Sequence, residues 1–386
     1  MEQLEWLYNL RRFGSKLGLE RIKEICNALD NPQDKLKFIH IAGTNGKGST
    51  SVMIQSILTE AGFKVGRFNS PHIIDFKERF SINDKWIPEE DLMRLIELIK
   101  SKNIELTFFE FITAIALQYF YDQKVDYVVW ETGLGGRFDA TNVVNSDIAV
   151  ITNIAFDHTV ELGNSLSKIG FEKAGIIKEN SIVVYGGTPE LKDLFEKGKK
   201  LVMVDFDVPF NFKVNLPGKH QVDNARIAVA AVREMNIGIK DRDIKMALAH
   251  IKWPGRLEKI GTFLLDCAHN PAGLKSLKYF IENEIKPENL TIVFGCMKDK
   301  DYLKMLQLLP KHNSLIVTKA NNERALNPEK IAEYAKECKI FDTVSKAVDY
   351  AKKNSEGLIL IAGSCYVVSE ARQHIYSIYL KSIYEK

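Results

Sequence analysis

The chain has 386 residues, 45% of them hydrophobic and 27% charged, with only 11 Pro and 24 Gly. That excludes a disordered chain or a miniprotein held by staples, and at roughly 150 residues per domain it predicts two to three domains. There is no run of about eighteen apolar residues to span a bilayer, and 53 basic against 50 acidic side chains leave a net charge of +3 without basic blocks, so no nucleic-acid footprint is present and a small anionic substrate stays open.

In chain order, apolar runs of strand length fall at 37–42, 65–68, 125–131, 148–153 and 182–185, and stretches with apolar residues three and four apart fall at 49–61, 89–100, 108–121 and 165–174. Strand and helix alternate, which predicts a parallel sheet covered by helices. A second series of strands follows at 263–267, 290–296, 314–318 and 358–362, with a helical stretch at 328–338. The fold class expected is α/β, a phosphate-loop parallel-sheet domain over 1–252 and a smaller Rossmann-like domain over 253–386, joined where Lys252-Trp253-Pro254-Gly255 interrupts both patterns.

The acidic start Met1-Glu2-Gln3-Leu4-Glu5 lacks the basic-then-apolar order of a signal peptide. Five cysteines (Cys26, Cys267, Cys296, Cys338, Cys365) without CxxC spacing point to reduced thiols and away from a zinc ribbon. A cytoplasmic protein with neither nucleic-acid nor membrane partners is expected.

The first strand runs into Gly43-Thr44-Asn45-Gly46-Lys47-Gly48-Ser49-Thr50 and then a helix. Glycines let backbone wrap a phosphate, N–H groups and the helix N-terminus bind its oxygens, and Lys47 adds a point charge. Ser49 or Thr50 is placed to reach a nucleotide-bound magnesium. The commonest phosphate loop, GxxxxGK[ST], is not matched, because Ile41 stands where its first Gly belongs; the pattern is GxxGKG[ST]. A ligand-free turn is the bland alternative, and the order strand, glycines, lysine, hydroxyls, helix favours a nucleotide site.

Ligands of open parallel sheets sit beyond the carboxyl ends of the strands. There the sequence puts Glu131 ahead of Gly133-Leu134-Gly135-Gly136, Asp157-His158 after the next strand, and Ser70 after the strand that follows the loop helix. Singly, these read as a solvated cap, a loop histidine and a turn residue; the glycine run raises Glu131 to a metal candidate. Downstream, Asp266 and His269 crowd one strand end, and Asn270-Pro271 reads as a helix cap.

With these segments in hand, the chain resembles the folylpolyglutamate synthase and dihydrofolate synthase family of the Mur ligase superfamily. The resemblance runs through Leu19-Glu20-Arg21, the loop 43–50, Ser70-Pro71-His72, Phe109-Glu110, Glu131 to Gly136, Asp157-His158, Glu172-Lys173-Ala174-Gly175, Asn224-Ala225, Trp253-Pro254-Gly255-Arg256 and Asp266 to Pro271, in family order over nearly the whole length. It implies ATP on the loop, two magnesium ions held by residues matching Ser70, Glu131 and His158, and a carbamylated lysine at Lys173. It further implies nucleotide contacts from Asn224, Arg256 and Asp266, glutamate contacts from His269 and Ser364, and a folate region around the loop from Ser70 to Arg79 and Phe109. Lys47, Glu131, His158, Lys173 and His269 are then the catalytic set.

The implied substrates are dihydropteroate or a folate, L-glutamate and ATP, and the implied state is a monomer. Whether one or both acceptors are used stays open, the bifunctional form being preferred. A peptidoglycan-precursor ligase of the same superfamily is disfavoured, since 42 residues ahead of Gly43 leave no room for its extra domain. A nucleotide switch is disfavoured because it needs no second-substrate residues such as His269.

Overall fold

The computed structural model describes residues 2–10, 18–335 and 337–384, so Met1 of the acidic start lies outside the described residues. Two compact units form. One holds the chain up to Ala155 with Thr159–Asn215 and Gln221–Ile251; the other holds Phe156–His158, Leu216–His220 and the chain from Lys252.

The first unit is built on β1 (Phe38–Ala42), β2 (Val65–Phe68), β3 (Phe80–Ile82), β4 (Lys85–Trp86), β5 (Tyr127–Glu131), β6 (Ser146–Ile151), β7 (Ile182–Tyr185) and β8 (Lys200–Met203). Their order across the sheet is β4-β3-β2-β5-β1-β6-β7-β8. The six strands from β2 to β8 are parallel, and β3 and β4 extend the edge antiparallel. β1 is buried at all five positions, as a strand covered on both faces must be, and its sequence FIHIA is accordingly apolar on both sides of the pleat except at His40.

Beneath the carboxyl ends, Trp130 packs on Phe68 at 4.7 Å and Phe38 at 5.5 Å. Helix Phe108–Asp122 closes this core and begins with a capping box, Glu110 accepting from Thr107 N at 2.8 Å. The same Glu110 carboxylate pairs with Arg21 at 2.9 Å.

From β1 the chain crosses over β5 to reach β2, and from β5 it crosses to β6 on the other side of β1. The carboxyl end of β1 is therefore the point where strand order reverses, the place at which such sheets bind ligands.

The second unit carries β9 (Glu258–Ile260), β10 (Phe263–Leu265), β11 (Leu290–Phe294), β12 (Ser314–Val317), β13 (Cys338–Ile340) and β14 (Leu358–Ala362), ordered β13-β12-β11-β14-β10-β9. All are parallel except β9, which returns antiparallel on β10. The helix expected over 328–338 is shorter: it covers Pro328–Ala332, and Cys338–Ile340 is a strand. Pairing of Leu315 with Cys338 supplies backbone partners that a continued helix would have had to provide internally. Among the described residues no helix is long and apolar enough to cross a membrane.

Candidate active site

β1 delivers the chain into the loop at Gly43, and two glycines there meet demands that other residues cannot. Gly43 (φ +156°) lies against Thr152 Oγ1 and Gly46 (φ +83°) against Asn224 Oδ1, each too close for a Cβ. The loop is stitched to the end of β6: Thr44 N donates to Asn153 O at 3.0 Å, Asn45 N to Asn153 Oδ1 at 3.0 Å, and Thr152 Oγ1 to Asn45 O at 2.7 Å. Thr44 and Asn45 thus use their N–H groups internally. The amides of Lys47, Gly48 and Ser49 open the Lys47–Glu60 helix, whose first turn has no intrahelical acceptors for them, and Thr50 N closes the first helical bond to Gly46 O at 2.8 Å. An anion beyond β1 would meet these amides and the positive end of the helix.

Two ammonium groups converge on one carbonyl. Lys47 Nζ donates to Gly43 O at 3.0 Å, and Lys173 Nζ, 4% exposed at the end of helix Leu166–Lys173, donates to it at 2.8 Å. On the neighbouring strand, Glu131 is buried at the end of β5 and accepts from Ser70 N at 3.3 Å. Ser49 is buried in the loop helix. The hydroxyls of Thr50 and Thr132 are buried without a hydrogen-bond partner, leaving oxygen donors unspent beside Lys47 and Glu131 in sequence. Such a set suits a hard cation that keeps water and phosphate ligands. Among the described residues no three His, Cys, Asp or Glu side chains converge where a metal could sit, so protein carboxylates alone do not complete a shell.

The glycines after Glu131 are occupied by protein contacts rather than held open for a ligand. Phe109 packs over Gly133, Leu162 over Gly135, and the carbonyls of Glu172 and Lys173 approach Gly136 to where a Cβ would be 2.9 Å away. Asp139 ties the turn down, accepting from Leu134 N at 2.8 Å and Thr141 N at 3.0 Å. In the loop from Ser70 to Arg79, Glu78 accepts from Ile74 N at 2.9 Å, Arg79 donates to His72 Nδ1 at 2.9 Å, and its guanidinium lies 5.8 Å from the Phe76 ring and 5.7 Å from that of Phe108. Beneath it is a buried cation that the sequence did not single out, Arg67, held by Gln55 at 2.6 Å and Asn69 at 2.8 Å.

The second unit assembles its own polar cluster. Lys300 Nζ donates to Asp157 Oδ1 at 2.6 Å and to His158 Nε2 at 3.0 Å, and Asn270 donates to Asp157 Oδ2 at 2.9 Å. His269 Nε2 stands 3.5 Å from the same carboxylate while its Nδ1 bonds Cys267 O at 2.9 Å. Burial works against the Asp157 carboxylate, yet His269 and Lys300 hold it well below the usual range. Burial works against a charge on His269, but Asp157 and Cys365 together outweigh it and push the imidazole up to about 9, while His158 is pushed down to about 4 by burial and Lys300.

Lys300 thus lies against Nε2 of His158, the histidine expected from the resemblance to hold metal. It was not legible beforehand because Lys298-Asp299-Lys300-Asp301 reads as a solvated charged turn. Asp266, buried, accepts from Leu257 N at 3.0 Å and Ala268 N at 2.9 Å, Arg256 donates to Gly255 O at 3.1 Å, and Ser364 Oγ accepts from Tyr366 N at 3.1 Å as a helix cap. Asn270 caps Pro271–Phe280 through Gly273 N at 2.8 Å, as expected.

The chain matches two family descriptions, the Mur ligase middle domain over residues 41–208 and the Mur ligase glutamate ligase domain over 255–365. It is 34% identical to a dihydrofolate synthase/folylpolyglutamate synthase of Bacillus subtilis, over 96% of this chain and 97% of that one. Among solved structures it superposes on Escherichia coli FolC in complex with DHPP and ADP with TM-score 0.90 at 29% identity, covering 98% of each chain. A bifunctional folylpolyglutamate synthase/dihydrofolate synthase with Mn, AMPPNP and L-glutamate bound gives TM-score 0.89 at 30% identity, covering 97% of this chain and 98% of that one. Coverage end to end, with the phosphate loop in place, means that the chain belongs to the dihydrofolate synthase/folylpolyglutamate synthase family of Mur ligases.

Proposed function

We propose that this protein is the bifunctional form: it joins L-glutamate to dihydropteroate and to the glutamate tail of a reduced folate, with ATP converted to ADP and phosphate. The observation that carries the reading is the loop from Gly43 to Thr50, with Lys47, Lys173 and Glu131 at the reversal point of a parallel sheet. The double name of the Bacillus subtilis relative supports the choice of both acceptors.

A carboxylate is a poor electrophile, because its charge is delocalised and oxide does not leave. Transfer of the γ-phosphoryl group to the acceptor carboxylate gives an acyl phosphate, which the glutamate amine attacks as phosphate departs. The loop amides and Lys47 hold the phosphates and neutralise developing charge. Asn224, against Gly46, and Arg256 and Asp266 are read as nucleotide contacts; Phe109 and the loop from Ser70 to Arg79 as the pteridine side; His269 and Ser364 as the glutamate side. With His269 carrying a proton, the incoming glutamate carboxylate meets a cation.

Two divalent ions fit this reading, with Ser49, Ser70 and Glu131 of the first unit and His158 of the second read as their ligands. When bound they supply positive charge against the phosphate oxygens. Lys173 as a carbamate would replace a second cation on Gly43 with an anion able to support metal. The protein acts as a monomer in this reading, in the cytoplasm.

Phosphate release from Mg-ATP and glutamate, compared with dihydropteroate, tetrahydrofolate and no acceptor, tests the proposal. Release with both acceptors is expected, and release with one names a specialised enzyme. Equal release without any acceptor refutes the ligase reading in favour of an ATPase switch.

A further inference from the structure

Two cysteines in the second unit, neither assigned a role in the ligation above, lie together. Cys267 follows β10, and Cys365 opens the Cys365–Tyr384 helix after β14. These strands are parallel neighbours, Leu265 paired with Ile361. Asp266 N continues the pairing to Ile361 O at 3.0 Å, and Gly363 N to Ala268 O at 2.9 Å. The Cys365 sulfur lies 4.0 Å from Cys267 O, the oxygen that also accepts from His269 Nδ1 at 2.9 Å. Gly255 O accepts from both Cys267 N at 2.9 Å and Arg256 Nη1 at 3.1 Å, which brings a guanidinium to the pair. Cys267 is buried and Cys365 is partly exposed.

We propose that Cys365 and Cys267 form an oxidisable dithiol, a modification site for hydrogen peroxide in which Cys365 attacks and Cys267 resolves. A thiol at a helix N-terminus beside Arg and His is in the surroundings that favour thiolate. The hydrogen bond from Cys267, with His269 and Arg256 behind it, holds the Cys365 thiol well below its ordinary value despite burial. Burial, and then Cys365, push Cys267 well above its own.

The Cys365 thiolate attacks one peroxide oxygen, so an S–O bond forms, the O–O bond breaks, and hydroxide leaves as water by taking the proton that the Cys365 thiol released to solvent on ionising. Cys365 is then an uncharged sulfenic acid, and the thiolate that opposed ionisation of Cys267 is gone. Cys267 attacks the Cys365 sulfur, the S–S bond forms, the S–O bond breaks, and the oxygen departs as water with the Cys267 proton. Two electrons pass from the sulfurs to the peroxide, giving one disulfide and two waters. A dithiol reductant reverses the step.

The full-length protein, reduced and desalted, would be treated with a few equivalents of hydrogen peroxide, blocked with an alkylating agent, digested without reduction and mapped by mass. The expected product is a Cys267–Cys365 cross-linked peptide that disappears with dithiothreitol. In Cys267→Ser protein Cys365 is instead trapped by dimedone, and in Cys365→Ser protein Cys267 stays unreacted. Oxidation of Cys26, Cys296 or Cys338 with Cys267 and Cys365 still free overturns the inference, as does equal oxidation of Cys267 in Cys365→Ser. The readout requires no turnover, so it is decided independently of the ligase reading.

Discussion

At Gly43 a single carbonyl oxygen receives two ammonium groups, Lys47 at 3.0 Å and Lys173 at 2.8 Å. Like charges this close repel, and burial of Lys173 strengthens the repulsion because less water screens it. A phosphate beyond the loop relieves it by drawing Lys47 away, and a carbamate on Lys173 relieves it by reversing one charge. The two lysines therefore separate by experiment. Lys47→Ala should lower phosphate release by about 100-fold or more while leaving the melting temperature nearly unchanged, since a repulsive contact is lost with the charge. Lys173→Ala should also lose turnover, with part of it restored by bicarbonate or short carboxylates. Full turnover in Lys47→Ala would remove the loop from the chemistry, and an unmodified Lys173 in well-resolved density of fully active enzyme would remove the carbamate.

The element that turns β1 into a site is the strand-to-helix loop, and its backbone can be tested apart from its charges. Gly46 (φ +83°) abuts Asn224 Oδ1, whereas Gly62 (φ +95°), at the other end of the same helix, has nothing within 4 Å. Alanine at either position pays the left-handed backbone cost of about 1–2 kcal/mol. Only Gly46→Ala also displaces Asn224. Calorimetric titration with an ATP analogue should show Gly46→Ala weakening binding by about tenfold or more and Gly62→Ala leaving it unchanged, with both similarly less stable to urea. Equal nucleotide affinity in the two variants would detach Asn224 and the loop geometry from nucleotide binding.

Elements of this kind were legible in the sequence because their signals are local. A buried parallel strand must be apolar on both faces, and the 65–68, 182–185 and 358–362 strands and the 89–100 helix have the bounds their patterns implied. What was not legible depends on pairing. β3, β4 and β9 span three, two and three residues and acquire strand character only from a neighbour. Cys338–Ile340 looked like the end of a helix until β12 offered it partners. Within the candidate site, Lys47 stood in the glycine-rich loop after β1, and Glu131 and Ser70 at strand ends, where chemistry is expected. Lys300 owes its importance to Asp157 and His158, far off in the chain, and Arg67 to burial beside Gln55 and Asn69, neither of which a spacing announces.

For the molecule as a whole, two histidines set opposite limits on stability with pH. His40, wholly buried in β1 with Nε2 at 3.0 Å from Thr141 Oγ1, is pushed down to about 3 by burial and then Lys178. Between pH 6.5 and 3 the unfolded chain binds a proton at this position that the folded chain refuses. Stability therefore falls on acidification, by roughly 1 kcal/mol per pH unit. His269 does the reverse: with its folded value near 9, it keeps a proton from pH 6.5 to 9 that the unfolded chain has released. That contribution is complete below pH 6.5 and is lost as pH rises toward 9. Urea unfolding between pH 5 and 9 should then show greatest stability near pH 6.5, with His40→Gln reducing the acid slope to the part that His158, pushed down to about 4, still contributes, and His269→Gln flattening the alkaline side. Because the two residues belong to different units, each effect should appear in a different unfolding transition where the transitions separate. An acid slope unaltered in His40→Gln would mean that Thr141 and Lys178 do not hold this imidazole neutral, and that the centre of the sheet tolerates a charge which its burial says it should reject.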